Sequence, residues 1–173
     1  PDAYGLTYLK KGYEKIDFSF KDLQGNLVSL KDPLYQNKVV VVQILGTWCP
    51  NCMDETRFLA DWYRKNKHRG VEIIGLAYER KPDFAYATSR VKKMKEIMGV
   101  DYEVLIAGVS TTESASESLP MLNQIISFPT SIVIDKTGAV RKIHTGFNGP
   151  ATGKYYDDFV KEFNSLMDTL VKE

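Results

Sequence analysis

The sequence predicts an α/β domain, a mixed central sheet with helices on both faces, preceded by a β-hairpin. Three observations carry this. Lys38 to Leu45 is a nearly unbroken apolar run with four consecutive valines, Val39 to Val42. It lacks polar alternation, as expected of a parallel strand buried on both faces. Strand and helix patterns then alternate as far as about Ala107, as in parallel strand–helix–strand units. Late in the chain, two strand-like stretches flank Asp135-Lys136-Thr137-Gly138, the turn of an antiparallel pair.

Residues 1–15, rich in Tyr, Lys and Gly, read as a lead-in or linker, and residues 16–173 as one domain. Ile16, Phe18 and Phe20 alternate with polar residues before Gly25-Asn26, and Leu27, Ser29 and Leu30 follow. This is a hairpin ended by Asp32-Pro33. After the valine strand, Phe58, Leu59, Trp62 and Tyr63 form one apolar stripe on a helix from about Cys52 to Lys67, with Gly70 placed to stop it. Val71 to Tyr78 is the next strand. Pro82-Asp83 opens a second helix to about Met98, whose core face is expected to be Phe84, Val91, Met94 and Met98. Tyr102 to Ala107 is a short strand. The Ser/Thr/Glu-rich stretch Ser110 to Ser118 is either a loop or a short capped helix. Ser131 to Ile134 and Ala139 to Thr145 form the late hairpin, and a helix from Tyr155 to about Lys172 presents Phe159, Phe163, Leu166 and Leu170 on one face. There is no internal repeat.

The chain has 173 residues, enough for a substantial single core. A hydrophobic content of 43%, with 26% charged residues, is that of an ordinary globular domain. A formal net charge of +1, with no basic stripe, gives no support to nucleic-acid binding. No apolar run approaches the roughly 18 residues that would span a bilayer. The chain begins at Pro1 without an initiator Met or signal peptide, which reads as a mature or excised fragment.

Its two cysteines both lie in Trp48-Cys49-Pro50-Asn51-Cys52, between the valine strand and the first helix. Two are too few for a disulfide framework. A structural zinc site normally needs four ligands, and His68 and His144 are remote in sequence. The pair is therefore expected to be a redox couple. A sulfur at a helix N-terminus faces unpaired backbone N–H groups and the positive end of the helix dipole, both of which favour the thiolate. Cys49 is expected to be the exposed nucleophile and Cys52, one turn into the helix, the resolving thiol. Glu55 lies three residues after Cys52 and so on the same helix face. Gln43, the polar interruption of the valine strand, is expected to be an amide satisfied within the core.

The Trp-Cys-Pro-Asn-Cys motif at a strand-to-helix turn, with Phe128-Pro129-Thr130 before a late strand, resembles the thioredoxin superfamily. The chain is most similar to its TlpA/ResA-like branch of extracytoplasmic thiol-disulfide oxidoreductases, an AhpC/TSA-type thioredoxin-fold domain. The stretch Asp17 to Gly25 is similar to the hairpin that this branch adds at its N-terminus, and the resemblance runs from about Ile16 to Lys172. It implies a thioredoxin-like fold and dithiol exchange with disulfide-containing or dithiol protein substrates. It also implies an upstream electron donor, a periplasmic or other extracytoplasmic location with a membrane tether outside this chain, and no cofactor beyond the Cys49–Cys52 couple. Pro129 matches the family's cis-proline, which presents the backbone of the preceding residue, Phe128, to substrate. Trp48 and Pro50 are expected to shape the apolar surface around Cys49. Glu55 matches the acidic residue of this branch and is expected to manage the Cys52 proton. Gln43 stands where thioredoxin itself has a buried Asp, and an amide cannot titrate there.

Two rival readings belong to other classes. A peroxiredoxin-type peroxidase places Thr or Ser three residues before its reactive Cys, whereas Gly46 stands there in this chain. The other is a non-enzymatic binding module whose cysteines are vestigial or hold a metal. The segment Gly108 to Ile126 is longer than a minimal thioredoxin needs, and either shapes a substrate groove or decorates the surface; decoration is the expectation. The Gly-rich stretch Gly146 to Lys154 lacks phosphate-loop spacing and reads as the entry to the last helix.

Overall fold

The computed structural model describes residues 6–173. The strands β1 (Ser19–Lys21), β2 (Leu27–Ser29), β3 (Val39–Leu45), β4 (Val71–Glu79), β5 (Glu103–Val109), β6 (Thr130–Ile134) and β7 (Val140–Thr145) form one sheet in the order β2-β1-β5-β4-β3-β6-β7. The central strands β3, β4 and β5 run parallel, and the remaining pairs are antiparallel. Every residue of β3 and β4 is buried, as expected of strands covered on both faces.

Side-chain alternation along the strands divides the interior into two layers. Val39, Val41 and Leu45 face α1 (Pro50–Asn66), α2 (Phe84–Met98) and α4 (Lys154–Lys172) through Leu59, Val91, Met94, Phe163 and Met167. Val40, Val42 and Ile44 face the hairpin residues Phe18 and Val28 and the short helix α3 (Thr112–Ser118). Helices therefore lie on both faces, and the N-terminal hairpin extends the sheet beyond β5.

Three expectations need correction. Phe84 is 37% exposed, because it opens the first turn of α2, where the Lys21 ammonium lies over its ring at 5.6 Å; Ala87, Thr88, Val91 and Met94 make the buried face. The turn of the first hairpin spans Asp22 to Asn26, where Asp22 Oδ1 accepts the Gln24 and Asn26 N–H groups, and Gly25 takes φ +89°. The segment Gly108 to Ile126 is not decoration. Its residues Ala115, Leu119, Leu122 and Ile125 are at most 2% exposed and cover the second face of the sheet. Ser110 to Ser118 contains a capped helix, with the Thr111 hydroxyl accepting the Ser114 N–H at 3.0 Å. Residues 6–10, within the stretch expected to be a lead-in, pair with residues 121–124, including a bridge between Leu9 and Leu122.

Candidate active site

β3 delivers the motif. After Leu45 the chain turns tightly, with the Cys49 N–H donating to the Gly46 carbonyl at 3.1 Å. α1 then begins with Pro50 in its first turn, where proline's missing N–H leaves nothing unpaired. Cys49 is the N-cap, and its Sγ accepts the Cys52 N–H at 3.3 Å. A sulfur thus occupies the position usually held by a capping hydroxyl or carboxylate, in the field of the helix N-terminus.

Both cysteines are free thiols and both are buried. Cys49 is 6% exposed and Cys52 fully enclosed, so the expected order of exposure holds while the expected openness of Cys49 does not. What covers Cys49 is the Phe128–Pro129 loop. The Phe128–Pro129 peptide is cis, and the Cys49 thiol points at the Phe128 carbonyl at 3.8 Å. The Gly146 N–H donates to the Pro129 carbonyl at 2.7 Å, tying this loop to the end of β7. Trp48 meets Phe128 edge-on at 5.3 Å and donates its indole N–H to the Tyr78 carbonyl at 2.8 Å. Pro50 is exposed beside the dithiol. The structure therefore gathers Trp48, Cys49, Cys52, Phe128 and Pro129 into one place.

Glu55 lies beneath the dithiol at 1% exposure, and its Oε1 has no hydrogen-bond partner. Burial pushes its carboxyl up to about 8, against the pull of the neighbouring Gln43 amide. Burial also raises the Cys52 thiol strongly, and its hydrogen bond with Cys49 adds to this. The Cys49 and Glu55 charges act in the same direction, while the Gly46 backbone opposes them. Gln43 is satisfied as expected. Its Nε2 donates to Thr56 Oγ1 at 3.0 Å, and Thr56 Oγ1 in turn donates to the Cys52 carbonyl at 2.8 Å. Tyr102 donates to Gln43 Oε1 at 3.5 Å from β5's approach; burial, then the charge of Glu55, raises its phenol.

Sequence reasoning missed Thr56, Tyr102 and a second buried carboxylate, Glu79. Glu79 ends β4 at 1% exposure, accepting the Thr47 N–H at 2.9 Å and the Thr47 hydroxyl. The signal for Glu79 was present. Parallel β3 and β4 pair Leu45 with Ala77, so residues two further on, Thr47 and Glu79, emerge side by side. Thr56 lies one helical turn after Cys52 and could have been read from that spacing. Tyr102 could not, because it arrives from another strand crossover.

Gly46 is required by the close approach of Trp48, since a Cβ there would fall inside the indole. The Thr or Ser expected of a peroxiredoxin at this position has no room. A cavity of about 230 Å³ opens beside Val40 and Ile134, at the opposite end of β3 from the motif, and includes neither cysteine. Among the described residues, no group of three or more His, Cys, Asp or Glu side chains could hold a metal ion.

A dithiol at a strand-to-helix turn, set against a cis-proline loop at one end of a mixed sheet, defines a protein-disulfide oxidoreductase of thioredoxin-like fold. The comparisons with known proteins agree. The sequence model of the Redoxin family matches residues 10–158, and the chain belongs to that family, in the TlpA/ResA-like branch of the thioredoxin superfamily. It is 30% identical over 151 residues to the thiol-disulfide oxidoreductase ResA of Bacillus thuringiensis subsp. konkukian (strain 97-27), covering 87% of this chain and 77% of that protein. It is also 30% identical, over 140 residues, to ResA of Geobacillus kaustophilus, covering 81% and 72% respectively. Among solved structures, a thioredoxin-family thiol:disulfide interchange protein from Chlorobium tepidum TLS superposes with a TM-score of 0.66 at 21% identity, covering 94% of this chain and 98% of the other.

Proposed function

We infer that this thiol-disulfide oxidoreductase acts outside the cytoplasm as a protein-disulfide reductase, with Cys49 attacking and Cys52 resolving. The observation that carries the assignment of roles is the asymmetry of the two sulfurs. Cys49 caps α1, receives the Cys52 N–H and keeps a residue exposure of 6% against none for Cys52. The Cys49 thiolate attacks one sulfur of a substrate disulfide. A new S–S bond forms to Cys49, the substrate S–S bond breaks, and its electron pair leaves on the other substrate sulfur, which takes up a proton. Cys52 then gives its proton to the Glu55 carboxylate and attacks Cys49 Sγ; the Cys49–substrate S–S bond breaks, the second substrate sulfur leaves with its electron pair and takes up a proton, and Glu55 releases the proton it received. The substrate gains two electrons and two protons, and the protein is left with a Cys49–Cys52 disulfide. An upstream dithiol donor reduces it again, and the couple itself is the redox centre, with no further cofactor.

The substrate seat is formed by Trp48 and Pro50 on one side and by Phe128 and Pro129 on the other, where an extended segment can pair with the loop backbone. The resemblance to the TlpA/ResA-like branch supports the extracytoplasmic setting and the reducing direction. No described helix is long and apolar enough to cross a membrane.

Trapping tests the assignment. Cys52→Ser should accumulate mixed disulfides through Cys49, visible as covalent adducts on non-reducing gels. Equal trapping by Cys49→Ser would overturn the order of the two sulfurs. A reduction potential near that of strong oxidants, rather than well below the glutathione range, would overturn the reducing direction.

A further inference from the structure

Three exposed cations, Arg80 and Lys81 after β4 and Arg90 within α2, lie on the surface next to Thr47 and Trp48. None of the ion pairs among the described residues includes them. Two are laid instead against the residues that precede Cys49. The Arg80 guanidinium sits over the Trp48 ring at 5.4 Å from its centroid, and Arg90 Nε donates to Thr47 Oγ1 at 3.4 Å. Lys81 lies over Tyr86 at 5.0 Å.

The carboxylates near this strip are already engaged. Glu79 is buried with both oxygens on Thr47, and Asp83 caps α2 by accepting the Tyr86 N–H at 2.8 Å. A guanidinium stacked on an aromatic ring keeps its N–H edges free for an anion, and a planar fork matches a carboxylate. The strip adjoins the dithiol, because Trp48 touches Phe128 and the Phe128 carbonyl receives the Cys49 thiol.

We propose that Arg80 and Arg90 form a cationic subsite beside Cys49 that selects protein disulfides carrying an Asp or Glu side chain next to the cysteine under attack. The proposal rests on the reading of Cys49 as the attacking sulfur. The subsite holds the substrate in register and leaves the sulfur chemistry unchanged, so it acts on KM. Its charges are exposed, and salt screens charges over about 8 Å at physiological ionic strength.

The test compares two disulfide-linked peptides that differ only in Glu or Lys beside the cysteine, with uncharged hydroxyethyl disulfide as a third substrate. At low salt the Glu peptide should be reduced with a kcat/KM about 3–10-fold higher, through KM, as two exposed charge contacts allow. The preference should shrink in high salt. The double variant R80Q/R90Q should lose it, and R80K/R90K, which keeps the charge, should retain part of it. Equal rates on both peptides, or a preference that survives in R80Q/R90Q, would overturn the subsite. If hydroxyethyl disulfide is reduced normally, that failure is the subsite's alone. If the reduced protein fails to react with hydroxyethyl disulfide, the dithiol reading falls and takes the subsite with it.

Discussion

Glu55 shows how much one buried side chain can govern. Its carboxyl, with an ordinary value of 4.5, is pushed to about 8 by burial. The unfolded chain therefore releases this proton near pH 4.5 while the folded protein holds it until about pH 8. Glu55 favours the folded state below its unfolded value, and that contribution is lost as pH rises through 8. Glu55→Gln, which cannot ionise, should be more stable than the parent at pH 9, by up to a few kcal/mol. The difference should vanish below about pH 5, as followed by urea unfolding across pH. In the proposed mechanism the same group also takes the Cys52 proton. Resolution of the mixed disulfide should accelerate through about pH 8 in the parent, and that inflection should be missing in Glu55→Gln. An unchanged pH profile would leave Glu55 with a structural role only.

At the scale of elements, the junction between β3 and α1 makes the site. Four residues, Gly46 to Cys49, reverse the chain from a buried strand into a helix whose first cap is sulfur. Glu79 holds Thr47 from the end of the neighbouring parallel strand, and Trp48 is hydrogen-bonded to Tyr78. Gly46→Ala should expel the indole from its position, breaking that bond and the edge contact with Phe128. Overpacking and the lost bond together should cost about 2–3 kcal/mol in denaturant unfolding. The fluorescence of Trp48 should shift toward that of a solvated indole. Replacing Trp62, the other tryptophan, with Phe would isolate that signal.

At the scale of the molecule, the sheet separates two apolar layers, and the second is completed by segments distant in sequence. Asn123 joins them. Its side chain accepts the Tyr8 N–H at 2.8 Å and donates to the Leu6 carbonyl at 2.9 Å, and its N–H donates to the Tyr8 carbonyl at 3.0 Å. Asn123→Ala removes the two side-chain bonds. It should lower unfolding stability by about 1–2 kcal/mol, with hydrogen exchange rising first at Tyr8. Dithiol kinetics should be nearly unchanged, because this contact lies on the face of the sheet away from α1.

Much of this was legible locally. The valine run of β3, the hairpin around Asp135 to Gly138 and the amphipathic face of α4 are written in short periods, and the dithiol in a four-residue spacing. Phe84 misled because a helical stripe shows which face is apolar and not which of its turns meets the core. Leu119, Leu122 and Ile125 misled because their burial comes from β-strands distant in sequence, and a Ser-rich flank hides it.

The sequence by itself determined the reaction class: a thiol pair spaced for one helical turn, at a strand-to-helix junction and behind a tryptophan. Only the tertiary structure decided the chemistry's surroundings. It enclosed Glu55 and Cys52, laid the Phe128 carbonyl on Cys49, joined Thr47 to Glu79, and set Arg80 on Trp48 and Arg90 on Thr47, outside the ion pairs of the described residues. The physical reason is that spacing along a chain sets which atoms share a helix face, whereas burial and electrostatic environment depend on elements brought together from elsewhere.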